Sequence, residues 1–423
     1  MVLIKAANLR RTPISAKKTI SGPGTSQRKE TMTIAKKIET IIHRSSWIRK
    51  MFEEGARLKA QHGAENVFDF SLGNPNVPAP ECFEKILSET ACTCCGEHGY
   101  MPNTGYPHVR QAVARYVTEE QGVPVGETDI VMTCGASGAL NIALKTLLDP
   151  GDEVLTPIPC FVEYGFYADN HGGVLKTVPT NPDFTLDLES LGAAITDKTK
   201  VVLINSPNNP TGQIYSRESL LALGELLRRK CIELKRTIYL ISDEPYRKIV
   251  FDQHTVPSIF GCYANSIIGT SYSKDISIPG ERIGFAAVNP AADFHDEILN
   301  GMALANRILG FVNAPALMQK IIACLQGTSV DVALYQRKRD ILCQGLAEAG
   351  YDFITPPGTF YLFPRTPIPD DVKFVQALQE ELILVVPGSG FNGPGHFRIA
   401  FCVDDDTIVN ALPGFKRVMG RFR

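Results

Sequence analysis

Between about residue 130 and residue 288, short runs of apolar residues alternate with longer stretches in which apolar residues recur at helical spacing. The apolar runs are continuous, which is typical of strands that are buried on both faces of a parallel sheet. Helical stretches between such strands predict an α/β fold, with a largely parallel sheet covered by helices on both faces. The clearest runs are Asp152–Thr156, Val201–Asn205, Thr237–Ser242, Ser266–Thr270 and Ile283–Val288.

The segments on either side of this region follow another pattern. Ile34–His62 has apolar residues along one helical face, and a short apolar run before Gly73 ends in turn-forming residues. After the sheet region, the sequence predicts a helix over Val330–Ala349, a turn at Pro356–Gly358 and a short strand at Phe397–Ala400. The C-terminal elements predict a second, smaller α+β domain.

Composition and charge narrow the class of protein. The chain has 423 residues, of which 44% are hydrophobic and 21% charged, as in ordinary globular enzymes. No apolar run approaches the roughly 20 residues of a membrane-spanning helix. The net charge of −2 gives no bias toward nucleic acid or an anionic membrane, so we expect neither as a partner. Eleven scattered cysteines predict a reducing compartment rather than a disulfide scaffold.

Residues 1–31 differ from the rest because they contain seven Lys and Arg residues and one Glu. A basic, acid-poor start resembles an organelle transit peptide. A flexible tail, or an extension upstream of a start at Met32, explains the composition as well. We therefore set this basic extension apart from the fold and expect a cytoplasmic protein, with organelle targeting as the alternative.

Two polar turns follow apolar runs of the predicted sheet. The small residues Gly135–Gly138, placed before a predicted helix over Ala139–Leu148, let backbone N–H groups approach an anion. Asn209 lies in a turn between two prolines, directly after a predicted strand. Each feature alone is also explained as an ordinary tight turn.

Two further strands end in charged residues. Asp243 follows the apolar run Ile238–Ser242, with Tyr246 three residues later, and it is either the partner of a cation or a helix N-cap. Lys274 follows another run, with Arg282 eight residues later. A lysine near other cations can have a pKa low enough for Schiff-base chemistry, although most lysines are simply exposed.

The order of these features is more informative than any one of them. An anion-binding turn, then Asn209, Asp243, Lys274 and Arg282, would suit a phosphorylated pyridine aldehyde. The segment Ser271–Gly284 resembles the lysine signature of the pyridoxal-phosphate-dependent aminotransferases of fold type I, class I/II. The resemblance extends from about residue 40 to the C-terminus and is to aspartate-aminotransferase-like members.

The resemblance implies a fold and a cofactor. The fold is a large domain over residues 76–308, with a mostly parallel seven-stranded sheet flanked by helices. Residues 32–75 and 309–423 would form the smaller α+β domain. The cofactor would be pyridoxal 5′-phosphate, and we expect no metal.

The resemblance also implies roles for the residues that surround the cofactor ring. Lys274 would form the Schiff base and later move the α-proton of the substrate. Asp243 would pair with the ring nitrogen and keep it protonated. Tyr246 and Asn209 would hydrogen-bond the phenolic oxygen of the ring. Phe161 matches the aromatic residue stacked on the ring, or it is a core phenylalanine.

The phosphate group would lie on the backbone N–H groups of Ala136 and Ser137. By the same resemblance, Ser271 and Arg282 would complete its binding site. Arg282 would supply the charge that a phosphate dianion needs, and its planar fork would also orient the phosphate.

Three residues match positions of the family that contact the substrate or the partner subunit, and a fourth, Arg307, lies one residue away from such a position. Arg398 matches the arginine that binds the α-carboxylate, and Gly73 matches the point where the N-terminal segment lines the site. Tyr100 matches a tyrosine that reaches the phosphate of the neighbouring subunit, which implies a homodimer with shared active sites. Arg307 either binds a distal carboxylate from the partner subunit or is an exposed helix arginine.

These matches imply an aminotransferase that acts by a ping-pong mechanism on an amino acid and a 2-oxo acid, with acidic amino acids such as aspartate as the expected donors. A β-eliminating lyase on the same fold is the alternative, and a non-catalytic PLP-binding sensor is a third hypothesis.

The cysteines Cys92, Cys94 and Cys95 suggest a metal site, but no second cysteine pair accompanies them. We interpret them as loop thiols.

Overall fold

The computed structural model of the protein describes residues 34–43, 47–94 and 97–422. The chain divides into two units, one ending at Ser45 and the other running from Ser46 to Arg423. In the first unit, the described residues contain one helix. The predicted basic extension over residues 1–31 lies outside the described residues.

Helices occupy much of the described chain. They are α1 (Lys36–His43), α2 (Trp47–His62), α3 (Glu81–Thr93), α4 (Pro107–Gln121), α5 (Gly135–Leu147), α6 (Tyr164–Asn170), α7 (Leu188–Ala194), α8 (Arg217–Leu234), α9 (His295–Ile308), α10 (Ala316–Ala323), α11 (Val332–Ala349), α12 (Asp371–Glu380) and α13 (Asp405–Arg421). Short 3₁₀ turns lie at Ala64–Asn66, Glu127–Asp129, Pro279–Glu281 and Gly388–Phe391.

The strands of the second unit form one large sheet and two small ones. They are β1 (Phe68–Asp69), β2 (Ile130–Thr133), β3 (Glu153–Ile158), β4 (Val174–Pro179), β5 (Thr199–Asn205), β6 (Tyr239–Asp243), β7 (Ser266–Ser271), β8 (Gly284–Val288), β9 (Tyr361–Leu362), β10 (Ile383–Leu384), β11 (Val386–Pro387) and β12 (Phe397–Ala400).

The large sheet has seven strands in the order β2-β8-β7-β6-β5-β3-β4. Strand β8 runs antiparallel to both of its neighbours, and the other strand pairs are parallel. Of the small sheets, β11-β12-β9 is antiparallel and β1 pairs with β10 in parallel. The seven-stranded, mostly parallel sheet expected from the sequence is confirmed.

Successive residues of the central strands enter hydrophobic clusters on opposite faces of the sheet. In β5, Val202 and Ile204 belong to one cluster, while Val201 and Leu203 belong to the other. This alternation explains why the strands are continuously apolar, because both faces are covered. A third cluster joins aromatic and aliphatic residues of α11, α13 and the small antiparallel sheet to the segment that follows β6.

Some helices have a side-chain cap at their N-terminus, and helix α5, which begins beside the candidate site, does not. Helices α8 and α11 begin with side-chain caps, since Ser216 accepts from the Ser219 N–H and Asp331 accepts from the Ala333 N–H. Helix α5 has no side-chain cap at Cys134. Its first backbone N–H groups therefore have no partner from the cap residue.

One helix differs from the sequence expectation. Helix α5 begins at Gly135 rather than at Ala139, because the small residues expected to form a turn form its first turn. The helix expected over residues 34–62 includes α1 and α2, and residues 44–46 between them lie outside the described residues. The predicted division between domains at residue 308 stays a prediction.

In the part of the chain that the structure describes, no helix has the length and apolar character to cross a membrane.

Candidate active site

A cavity of about 270 Å³ lies beyond the carboxyl ends of β5, β6 and β7. Ligands of open α/β sheets bind at this edge. Most of the residues predicted for the site line this cavity, although they come from distant parts of the chain. They are Gly73, Ala136, Ser137, Phe161, Asn209, Asp243, Tyr246, Ser271, Lys274, Arg282 and Arg398.

Asp243 is the last residue of β6 and is only 6% exposed. One carboxylate oxygen, Oδ2, accepts a hydrogen bond of 2.6 Å from the Tyr164 hydroxyl, whereas Oδ1 has no partner. Burial raises the pKa of Asp243 to about 7. A buried carboxylate with an unpartnered oxygen is suited to a cationic group, such as a protonated ring nitrogen.

Lys274 extends its amine into the same cavity. Its Nζ donates a hydrogen bond of 2.6 Å to the Gly73 carbonyl oxygen. Burial lowers the pKa of Lys274 to about 8, and the charges of Arg398 and Arg282 act in the same direction. A lysine with a lowered pKa has enough neutral amine near pH 7 to act as a nucleophile or a base.

The N-terminus of α5 and Arg282 form an anion-binding corner of the cavity. Gly135 has φ of 73°, and a Cβ atom there would lie 2.6 Å from Nη2 of Arg282. Arg282 approaches the helix start this closely only because residue 135 is glycine. The uncapped N–H groups of Ala136 and Ser137 add the positive end of the helix dipole.

Arg398 lies on β12 and is 2% exposed. Its Nη1 donates to Asn209 Oδ1 at 3.1 Å and its Nη2 donates to the Ser71 carbonyl oxygen at 2.7 Å. Its Nε has no hydrogen-bond partner. Burial lowers the pKa of Arg398, so the site strongly favours an added negative charge.

Asn205 connects the ends of two strands that carry site residues. Its side-chain Nδ2 donates to the Asp243 carbonyl oxygen at 2.8 Å, and its Oδ1 accepts from the Asn209 N–H at 2.7 Å. The two hydrogen bonds fix the turn that contains Asn209 against the end of β6. Sequence analysis assigned no role to Asn205.

These features fit pyridoxal 5′-phosphate. The unpartnered oxygen of Asp243 would hold the ring nitrogen, the anion-binding corner would hold the phosphate, and Lys274 lines the same cavity. The fit rests on the chemistry of three separate groups, and no single one of them would identify the ligand.

Three tyrosines of the site were not predicted from the sequence. Tyr164 hydrogen-bonds Asp243, and Tyr167 donates a hydrogen bond of 2.9 Å to Ser137 Oγ. Tyr361 lines the cavity from β9. Spacing offered a weak signal for the first, because Tyr164 lies three residues after Phe161, but no local pattern marks Tyr361.

Two predicted residues do not line the cavity of this chain. Tyr100 is 92% exposed, and Arg307 is an exposed residue at the end of α9. Tyr100 was expected to act on the site of a partner subunit, and Arg307 either to do so or to be an exposed helix arginine. Their roles in a partner subunit stay predictions. Within the described residues, no group of His, Cys, Asp and Glu side chains is arranged to hold a metal ion. Cys95 lies outside the described residues.

The amino-acid sequence matches the model of a known protein family. The family model described as "Aminotransferase class I and II" matches residues 65–414. The chain belongs to this aminotransferase family. It is therefore an enzyme that transfers nitrogenous groups, as the sequence predicted, and the family implies pyridoxal phosphate as cofactor.

Two relatives named as aspartate or aspartate/prephenate aminotransferases align with most of this chain. A probable aspartate aminotransferase of Methanocaldococcus jannaschii is 31% identical over 363 residues, which cover 83% of this chain and 92% of that protein. The aspartate/prephenate aminotransferase of Thermus thermophilus is 32% identical over 366 residues, covering 83% of this chain and 90% of that protein.

Solved structures show the same fold. An aminotransferase from Eubacterium rectale has a TM-score of 0.90 and 36% identity, covering 93% of this chain and 100% of that one. The aspartate aminotransferase of Thermus thermophilus with maleate has a TM-score of 0.80 and 27% identity, covering 92% of this chain and 100% of that one.

Proposed function

We propose that this aminotransferase binds pyridoxal 5′-phosphate in the cavity and moves the amino group of an L-amino acid to a 2-oxo acid by a ping-pong mechanism. The observation that carries the proposal is the meeting of Asp243, Lys274 and Arg398 in one cavity. They supply an unpartnered carboxylate oxygen, a desolvated amine and an unpartnered guanidinium nitrogen. When bound, the cofactor supplies an electron sink for the bond broken at the substrate Cα.

The residues of this chain hold the cofactor at three points. Asp243 pairs with the ring nitrogen, and its buried position keeps that nitrogen protonated. Tyr246 and Asn209 bind the phenolic oxygen, and Phe161 covers the ring. The phosphate is bound by Ala136, Ser137, Ser271 and Arg282.

Lys274 and Arg398 act on the substrate. Arg398 binds the α-carboxylate with its guanidinium fork, whose orientation is already fixed by Asn209 and the Ser71 carbonyl oxygen. Lys274 takes the proton from the substrate Cα and returns it later. Its lowered pKa suits this exchange, because both protonation states are populated near neutral pH.

An acidic amino acid is the proposed donor. The named relatives from Methanocaldococcus jannaschii and Thermus thermophilus are aspartate and aspartate/prephenate aminotransferases. The described residues that line the cavity include only three cations, Lys274, Arg282 and Arg398, and each already has a role. A distal carboxylate therefore needs a further cation, for which we propose Arg307 of the second copy in a homodimer.

The exposure of Tyr100 and Arg307 supports the homodimer, because the roles assigned to both lie in the site of the other copy. Sedimentation velocity should find two chains per particle. Arg307→Ala should then raise KM for aspartate but leave KM for alanine unchanged, and Arg307→Lys should restore part of the loss. Equal effects on both substrates would rule out a distal-carboxylate role for Arg307.

The cytoplasmic location of the protein stays a prediction.

The visible absorption spectrum of the cofactor-loaded protein tests the reaction. Added L-aspartate or L-glutamate, without an acceptor, should abolish the visible band, and a 2-oxo acid should restore it. A band that no amino acid changes would contradict transamination, and release of pyruvate and ammonia without an acceptor would indicate a lyase. Lys274→Ala should fold and dimerise, but it should retain no cofactor after borohydride reduction and denaturation.

A further inference from the structure

Tyr361 contacts three groups of the site, although no role has yet been assigned to it. It lies on β9, where it pairs with Ala400 of β12, and it is 3% exposed. Its ring lies 4.5 Å from the guanidinium carbon of Arg398. Its hydroxyl oxygen lies 3.1 Å from that of Tyr246. Tyr361 therefore touches both the residue proposed to bind the α-carboxylate and one proposed to bind the cofactor.

The Tyr361 hydroxyl also lies against the backbone of Gly73. A Cβ atom at Gly73 would lie 1.8 Å from that hydroxyl oxygen. The carbonyl oxygen of Gly73 in turn accepts the hydrogen bond from Lys274. The position of the Tyr361 hydroxyl is thus fixed from two sides, by Gly73 and by Tyr246.

The Tyr246 hydroxyl has a single proton, which it can donate either to the Tyr361 hydroxyl oxygen or to an acceptor bound in the cavity. Among the described residues, Tyr361 is its hydrogen-bond partner, and the ring of Phe360 packs edge-on against it at 5.5 Å. If Tyr246 donates to Tyr361, it has no proton left for an oxygen in the cavity. If Tyr361 donates to Tyr246, the Tyr246 proton is free to point into the cavity.

We propose that Tyr361 is a positioning residue that donates to the Tyr246 hydroxyl and so directs the Tyr246 proton toward the phenolic oxygen of the bound cofactor. This inference rests on the proposed function, because it takes Tyr246 as a ligand of that oxygen. A donor behind Tyr246 polarises its hydroxyl and strengthens its own hydrogen bond to a negatively charged acceptor. The ring of Tyr361 has a second role, since it packs against the guanidinium group of Arg398.

Tyr361→Phe separates these two roles, because it keeps the ring and removes the hydroxyl. The pH midpoint of the visible absorption change of the loaded enzyme should rise by about 0.3 pH unit, the size expected when one charge-assisted hydrogen bond loses its cooperative part. KM for the amino acid should stay unchanged while kcat falls. Tyr361→Leu, which also removes the ring beside Arg398, should raise KM as well.

Tyr351→Phe is the matched control. The Tyr351 hydroxyl donates to the Phe415 carbonyl oxygen at 3.0 Å, within the hydrophobic cluster of α11 and α13 and outside the cavity. Its loss should lower the melting temperature but leave the spectral midpoint unchanged. An equal shift in this control would overturn the proposal.

Two further measurements keep the test decisive. In a Tyr246→Phe background, Tyr361→Phe should produce no further shift of the midpoint, since its effect passes through Tyr246. Replacement of Tyr361 by 3-fluorotyrosine, a more acidic phenol of nearly the same size, should shift the midpoint downward. An unmoved midpoint in both Tyr361 variants would overturn the inference. Absence of the visible band in the unmodified protein would instead overturn the proposed function.

Discussion

Replacement of Asp243 by Asn has opposite expected effects on the protein without cofactor and on the loaded enzyme. In the protein alone, the Asp243 carboxylate is buried, and its pKa is raised from 3.8 to about 7. The folded state therefore holds a proton that the unfolded chain releases between these two pH values. By linkage, the free energy of unfolding falls as pH rises through this window.

The size of the change in the free energy of unfolding follows from the shift in the pKa of Asp243. Each pKa unit corresponds to about 1.36 kcal/mol, so a shift of about three units destabilises the protein by up to about 4 kcal/mol above pH 7. Asn has a similar shape, carries no charge and can still accept from the Tyr164 hydroxyl. Asp243→Asn should therefore stabilise the cofactor-free protein at pH 8, and the gain should vanish toward pH 4.

The loaded enzyme should respond in the other direction. Asp243 offers the unpartnered carboxylate oxygen that we assign to the ring nitrogen, and an amide cannot keep that nitrogen protonated. Asp243→Asn should lower cofactor affinity and turnover. Denaturant unfolding at pH 5 and pH 8, with and without cofactor, measures both effects.

Glu120, a half-buried carboxylate that lies 3.4 Å from Nε of Arg247, provides the control. Burial raises its pKa to about 7 as well, but it lies on α4, outside the cavity. Glu120→Gln should flatten the pH dependence of stability without changing cofactor affinity. If Asp243→Asn destabilised the cofactor-free protein at pH 8, or if both variants bound cofactor equally well, our assignment of Asp243 would be wrong.

Three other substitutions test neighbouring parts of the site. Arg398→Leu should raise KM and lower kcat for every amino acid alike, and steady-state kinetics with an acidic, an aromatic and an aliphatic donor measures this. Gly73→Ala should destabilise the protein by about 1–3 kcal/mol, seen in denaturant unfolding, because the added methyl group overlaps the Tyr361 hydroxyl. Tyr164→Phe removes a hydrogen bond that lowers the pKa of Asp243, so the pH-dependent loss of stability of the cofactor-free protein should move to higher pH. Thermal unfolding across pH would contradict this last prediction if the profile stayed in place.

The central sheet could be predicted from the sequence because burial on both faces makes its strands continuously apolar. The predicted run Val201–Asn205 lies within the strand Thr199–Asn205, and Ser266–Thr270 lies within Ser266–Ser271. The polar residues at the strand ends could be recognised for the same reason. Asp243 stands out directly after a buried strand, and in a parallel sheet such ends share one edge.

The residues that support the site could not be predicted in this way. The hydrogen bond between Tyr164 and Asp243 joins residues 79 positions apart, and the contact between Tyr246 and Tyr361 joins residues 115 positions apart. A buried tyrosine also has the sequence signature of an ordinary core residue. Its partner is set by how the C-terminal strands pack on the sheet, which no local pattern encodes.

Three of the four charged side chains that line the cavity, Asp243, Lys274 and Arg398, share one property that links stability to function. Burial raises the pKa of Asp243 and lowers those of Lys274 and Arg398, so all three are held in a medium that disfavours their charged forms. A ligand with a ring cation and a carboxylate would compensate the charges of Asp243 and Arg398. A ligand that presents both groups together would thus offset the unfavourable desolvation of both side chains. In the function we propose, specificity for the cofactor and the amino acid would follow from the positions at which this chain leaves buried charges unpaired.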